Sequence, residues 1–197
     1  MNITVINGTG QEDADTFRMK NTFFAALGDG HCIDEFALPD AFPAFCIDCK
    51  ACVCQSIYDC PHSAYTAPLW EKILDTHLIV FVLPSTESQV PLQMMRLLDH
   101  YYAKFMAHLP EANMSRKQAV VLTNETGLSL SKNTRILRDG LDDWGFDTHA
   151  IQKSTAALEC QSFLKKDKTL LQIQCEKVAF KIQKKQAKKK RMTPFMV

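Results

Sequence analysis

A chain of 197 residues, 46% hydrophobic and 23% charged, with a formal net charge of +1, has the make-up of an ordinary globular protein. It is long enough for one sizeable core and short for two. That balance excludes a low-complexity or collagen-like chain, and no apolar run approaches the length of a membrane span.

In chain order, a β-rich run at Ile3–Ile6 stops at Asn7-Gly8-Thr9-Gly10, and helical spacing follows through Phe17, Phe23, Phe24 and Leu27. A second strand is expected near His31–Leu38, followed by a cysteine-rich loop and a short helix near Leu69–Leu74 started at Pro68. His77–Leu83 is almost continuously apolar and rich in β-branched residues, the pattern of a central parallel strand covered on both faces. Val90–Met106 has helical apolar spacing, Ala119–Thr123 reads as another buried strand, and Ser131–Trp144 reads as a helix. A short strand around Thr148–Ile151 and a closing helix over Lys168–Lys189 complete five strands alternating with helices. This alternation predicts a doubly wound α/β sheet with helices on both faces. Ligands of such sheets bind outside the carboxyl ends of the strands, where the loops Asn7–Thr16, Pro84–Val90 and Asn124–Ser129 converge.

Five of the eight cysteines fall between Cys46 and Cys60, where even scatter would put about 0.6. Cys46, Cys49, Cys52 and Cys60 read as C-x2-C-x2-C-x7-C. Thiolates at this spacing can reach three irons of a [4Fe-4S] cluster, with the distant fourth closing the cage. Cys54 is left over and is a substitute for Cys52 or Cys60. The same thiols suit a zinc ion, with His62 as an alternative ligand. They also suit oxidisable or packing thiols without metal. The start of the chain lacks a signal-peptide pattern, so the expected location is the cytoplasm, where cysteines stay reduced. Cys32, Cys160 and Cys175, outside the run, read as buried packing positions. The scattered His31, His77, His100, His108 and His149 read as structural. Lys184, Lys185, Lys188, Lys189, Lys190 and Arg191 read as a solvated helix end, not as a surface for nucleic acid or membrane.

The turn Asn7-Gly8-Thr9-Gly10-Gln11, the loop Pro84-Ser85-Thr86 with Gln93 and Asp99 on the next helix, and the cysteine run carry a resemblance over roughly residues 1–160. In these features the chain resembles the flavodoxin-like family of NAD(P)H-dependent FMN reductases and its iron–sulfur flavoprotein branch. The resemblance implies strand order 2-1-3-4-5 with a Cys-rich insertion at 45–62, while length and charge point to one domain over residues 1–190 followed by a frayed basic tail at 191–197. It implies FMN with its phosphate on Thr9, Gly10, Gln11, Asp15 and Thr16 and its ring against Pro84, Ser85, Thr86 and Glu87. Asn124 and Gly127 would meet the pyrimidine edge of the flavin. Hydride would come from a nicotinamide and pass on to an unidentified electron acceptor, with no catalytic acid or base of the protein's own. A homodimer is implied by the same analogy, with the Cys-rich loop or the Val90–Met106 helix near its interface. The chain departs from the family at Gln11, where an arginine would face the phosphate, and at the neighbouring Glu12, Asp13 and Asp15, which repel it. Thr86 and Ser88 stand where an aromatic residue and a glycine are usual. These departures keep open a second reading, a flavodoxin-like scaffold that has lost flavin and binds a metal or a protein partner.

Overall fold

The structure, a computed structural model, describes residues 1–8, 14–83, 90–106, 114, 117–123, 132–152 and 169–192. Strands β1 (Asn2–Asn7), β2 (Cys32–Ala37), β3 (Leu78–Leu83), β4 (Gln118–Thr123) and β5 (Asp147–Gln152) form one sheet in the order β2-β1-β3-β4-β5. Every neighbouring pair is parallel, as the alternation of elements predicts.

All six residues of β3 are buried because both faces of the strand are covered. Ile79, Phe81 and Leu83 face one side, and Leu78, Val80 and Val82 face the other. Each such side chain contributes roughly 2 kcal/mol by leaving water. The first side is covered by α4 (Ser63–Asp75), α5 (Leu92–Met106) and α6 (Lys132–Asp143), through Trp70, Ile73, Met94, Leu97, Tyr101, Leu137 and Leu141. The second is covered by α1 (Ala14–Leu27) and α7 (Leu170–Met192), through Met19, Phe23, Leu27, Cys175, Ala179 and Ile182. Burial pushes the Cys175 thiol up to about 11, so it is a protonated packing group, as expected.

The edge strand β2 corrects one expectation, since Cys32 is exposed on it. Its charged residues pair with the covering helices, Asp34 with Lys72 of α4 at 3.0 Å and Glu35 with Lys20 of α1 at 3.1 Å, which sets charge along the open edge. A second correction concerns α4, which begins at Ser63 and carries Pro68 in its interior. The proline removes the partner of the Ala64 carbonyl, but both residues lie on the exposed face, where water can take that acceptor. The start of α7 has a reciprocal cap that the periodicity alone does not locate. Thr169 N–H donates to Gln172 Oε1 at 2.8 Å and Gln172 N–H donates to Thr169 Oγ1 at 3.3 Å. Between β2 and α4 the Cys-rich segment contains two single-turn helices, α2 (Leu38–Ala41) and α3 (Ala51–Cys54), and a 3-10 turn at Ile57–Asp59. Among the described residues no helix is long and apolar enough to cross a membrane.

Two polar groups secure the amino end of the sheet. Lys117 is buried, and its Nζ donates to the Leu74 and Thr76 carbonyls, the first in the last turn of α4 and the second at its C-cap. Lys185 Nζ on α7 donates to Asp147 Oδ2 at 2.6 Å, beside His149. Lys117→Met strands two carbonyls, so we expect a loss of about 2 kcal/mol in urea unfolding. Burial holds the His149 imidazole below its ordinary 6.5; Asp147 opposes this, while Lys181, Lys185 and Arg138 add to it. The unfolded chain therefore binds this proton first. Stability is full above 6.5, falls as pH drops through that value, and levels once the folded imidazole also titrates. His149→Gln should flatten that part of the stability–pH profile.

Candidate functional site

After β1 the chain turns to α1 on one face, and after β3 it turns to α5 on the other, so the two exits diverge at the carboxyl end of the sheet, the topology at which sheets of this kind form a ligand crevice. Gly8 closes its floor, with its N–H donating to the Val82 carbonyl at 3.0 Å. A Cβ built on Gly8 would stand 3.2 Å from both that oxygen and Met94 Cε. The oxygen is fixed by the sheet, so a side chain here would push the first loop back by a few tenths of an ångström, and glycine lets it approach without that shift.

Beside it, Asn7 Nδ2 donates to Glu35 Oε1 at 2.9 Å, and Lys20 reaches both oxygens of the same carboxylate. Thr16 is fully buried in the first turn of α1, and Asp15 lies in the same turn. The other residues assigned to FMN, namely Thr9, Gly10, Gln11, Pro84, Ser85, Thr86, Glu87, Asn124 and Gly127, lie outside the described residues.

Beyond α2 the Cys-rich segment lies across α5. Asp99 Oδ2 accepts the Cys46 N–H at 3.0 Å, His100 Nε2 donates to the Ala44 carbonyl at 3.0 Å, and Arg96 stacks its guanidinium 5.4 Å from the Phe45 ring centre. Phe42 stands edge-on to Tyr65, His100 and Tyr101, and His62 stacks on Tyr65 at 5.3 Å. Two thiols are held alike, each sulfur accepting an N–H from two residues ahead. Asp48 donates to Cys46 Sγ and His62 to Cys60 Sγ, both at 3.4 Å. Burial raises the Cys46 thiol, and the nearby charges of Asp99, Cys60 and Cys49 add to this against the Asp48 bond. Burial likewise raises the Tyr65 hydroxyl, helped by Cys60 and Cys46.

Three of the four expected metal ligands, Cys46, Cys49 and Cys60, thus share a neighbourhood, whereas Cys52 packs against the apolar core. Among the described residues no group of three or more histidine, cysteine or carboxylate side chains is placed to hold a metal ion. The C-x2-C-x2-C-x7-C spacing therefore does not gather its four thiols here. Around them His62 Nδ1, Tyr65 OH and Arg96 Nε are buried without hydrogen-bond partners among the described residues. Sequence reasoning named His62 only as an alternative zinc ligand and missed Tyr65 and Arg96, because nothing in their spacing marks them; the folding of the segment onto α5 assembles the three.

No family model matches the chain, and no curated protein matches it. Solved structures do. An azoreductase from Bacillus anthracis str. Sterne superposes with a TM-score of 0.64 at 9% identity, over 93% of this chain and 99% of that one. An FMN-dependent NADH-azoreductase from Bacillus anthracis str. Ames Ancestor, in complex with FMN, gives 0.57 at 12% identity, over 94% and 98%. The apo form of an NADH:FMN oxidoreductase gives 0.57 at 13% identity, over 92% and 87%. The chain has the flavodoxin-like fold. At these identities the likeness establishes the fold alone.

The Asp99 anchor is open to a direct test. In Asp99→Ala the Cys46 amide loses its acceptor and the thiol loses a neighbouring negative charge, both of which speed its reaction. Labelling of Cys46 by an aromatic disulfide, mapped by mass spectrometry on the native protein, should run roughly tenfold faster, the weight of one charge-assisted hydrogen bond.

Proposed function

We propose that the protein is an FMN-dependent NAD(P)H oxidoreductase of the FMN reductase kind, with its flavin at the crevice between β1 and β3. Gly8 carries this reading. A residue without a side chain, pressed against the carboxyl end of β3, suits a loop that must bring backbone N–H groups to a ligand. In this reading Thr9, Gly10, Gln11, Asp15 and Thr16 hold the phosphate end, Pro84, Ser85, Thr86 and Glu87 lie along the ring, and Asn124 and Gly127 meet its polar edge. Bound FMN supplies the redox chemistry, taking hydride from a nicotinamide and handing electrons to an acceptor. The protein's own residues bind, orient and shield it, and none acts as acid or base.

The iron–sulfur branch is the finer part of the proposal. Its support is the spacing of Cys46, Cys49, Cys52 and Cys60; against it stands their spread in this structure. Homodimerisation belongs to the same proposal. It is supported by exposed Leu92, Met95 and Tyr102 on one face of α5, together with exposed Phe45 and Ile47 of the segment folded on that helix. The location we propose is the cytoplasm.

Purified anaerobically, the protein should quench the fluorescence of added FMN at about one flavin per chain, oxidise NADH or NADPH only when so loaded, and sediment as a dimer. Gly8→Ala should weaken FMN roughly tenfold, as the first loop backs away from Val82. About four irons and four sulfides per chain in the same sample would keep the cluster, and none would remove it while leaving the flavoprotein. A colourless protein that leaves FMN fluorescence unchanged would overturn the reading in favour of a scaffold without flavin.

A further inference from the structure

Strand β4 carries a buried polar residue at each end, and Gln118 at its start donates its Nε2 to the Ile182 carbonyl. Ala119, Val120, Val121 and Leu122 are apolar and buried, and Thr123 is buried as completely but brings a hydroxyl. Its Oγ1 has no hydrogen-bond partner among the described residues. Two other buried threonines use theirs, Thr66 donating to the His62 carbonyl at 3.0 Å and Thr76 to the Leu78 carbonyl at 2.9 Å, whereas Thr148 Oγ1 on β5 also has no partner among the described residues. Valine has the same shape without the hydroxyl, and an unpaired hydroxyl in apolar surroundings is destabilising.

Its place in the sheet offers a reason. Thr123 ends β4 in register with Leu83, the last residue of β3. By alternation it shares the side of Ala119 and Val121, the side on which Leu83, Met94 and Leu137 pack. Neighbouring β3 carries the Val82 carbonyl on which Gly8 rests. A polar atom thus stands on an apolar floor at the carboxyl end of the sheet, unpartnered among the described residues and placed where a ligand would supply a partner.

We propose that Thr123 is a positioning residue for the ligand, its hydroxyl donating to a carbonyl oxygen or ring nitrogen of the flat heteroaromatic ring that the crevice takes. The inference rests on the flavin reading above, which supplies such a ring. Thr123 makes its bond only in the loaded protein, so the free protein should gain from losing the hydroxyl.

Two variants, Thr123→Val and Thr123→Ser, separate the possibilities when thermal unfolding of the flavin-free protein and FMN affinity by fluorescence quenching are measured together. Thr123→Val should unfold about 2–4 °C higher than wild type without flavin and bind FMN about tenfold more weakly. Thr123→Ser, which keeps the hydroxyl, should hold affinity within about twofold. Equal FMN affinity in wild type and Thr123→Val would overturn the contact alone. A lower unfolding temperature for flavin-free Thr123→Val would also overturn it, because the hydroxyl would then be serving the free fold. Wild-type protein that leaves FMN fluorescence unquenched would overturn the flavin reading and this contact with it.

Discussion

Strand β3 has no residue facing water, and the architecture follows from covering both of its faces. A parallel strand buried on two sides needs helices on two sides, so the connections from β1 and from β3 must leave in opposite directions. They do: α1 packs over Leu78, Val80 and Val82, while α5 packs over Ile79, Phe81 and Leu83. The divergence cannot be filled by either helix, and a crevice at the carboxyl ends is its geometric consequence. The site is therefore a by-product of core formation.

Within that crevice, charge has been arranged sparingly. Lys20, a cation on α1, is held by both oxygens of Glu35, which also accepts from Asn7. Its charge is offset before any ligand arrives. With Gln11, Glu12 and Asp13 in the first-loop sequence, attraction for an anion falls to backbone N–H groups and to the positive end of the α1 dipole. For the flavin proposed above, this charge arrangement would favour binding through the ring over binding through the phosphate, and it would put weight on the floor formed by Gly8 and by the end of β4.

The strands were legible because burial on both faces writes itself as continuous apolar runs, most plainly at His77–Leu83 and Ala119–Thr123. Element ends were less so. Pro68 reads as a helix start because proline suits a first turn, yet the exposed Ala64 carbonyl lets the helix run through it. Cys32 reads as buried by residue type, but an edge strand offers it no cover. The pair Thr169 and Gln172 was readable as a capping box, whereas Lys117 was not readable at all, since its partners are two carbonyls more than forty residues away. Of the crevice, the turn after β1 was visible. Thr123 was hidden, because a threonine closing a β-branched strand looks like propensity.

The Cys-rich segment shows why ligand spacing in sequence is not ligand spacing in space. Asp48 and Lys50, on either side of Cys49, adopt left-handed φ angles of 52° and 58°, which for lysine carries a cost of roughly 1–2 kcal/mol. Local preference would not choose this path, so contacts with α5 must hold it: Asp99 on the Cys46 amide, His100 on the Ala44 carbonyl, Arg96 on Phe45. Held so, the chain leaves Cys49 exposed at its tip and starts α3 immediately after Lys50, which turns Cys52 toward the core. A two-residue spacing converges on one ion only when the intervening backbone curls around it. Here α5 dictates the curl, and it shelters Cys46 and Cys60 beside Tyr65 with Cys49 near them, while Cys52 is turned away from the other three toward the core.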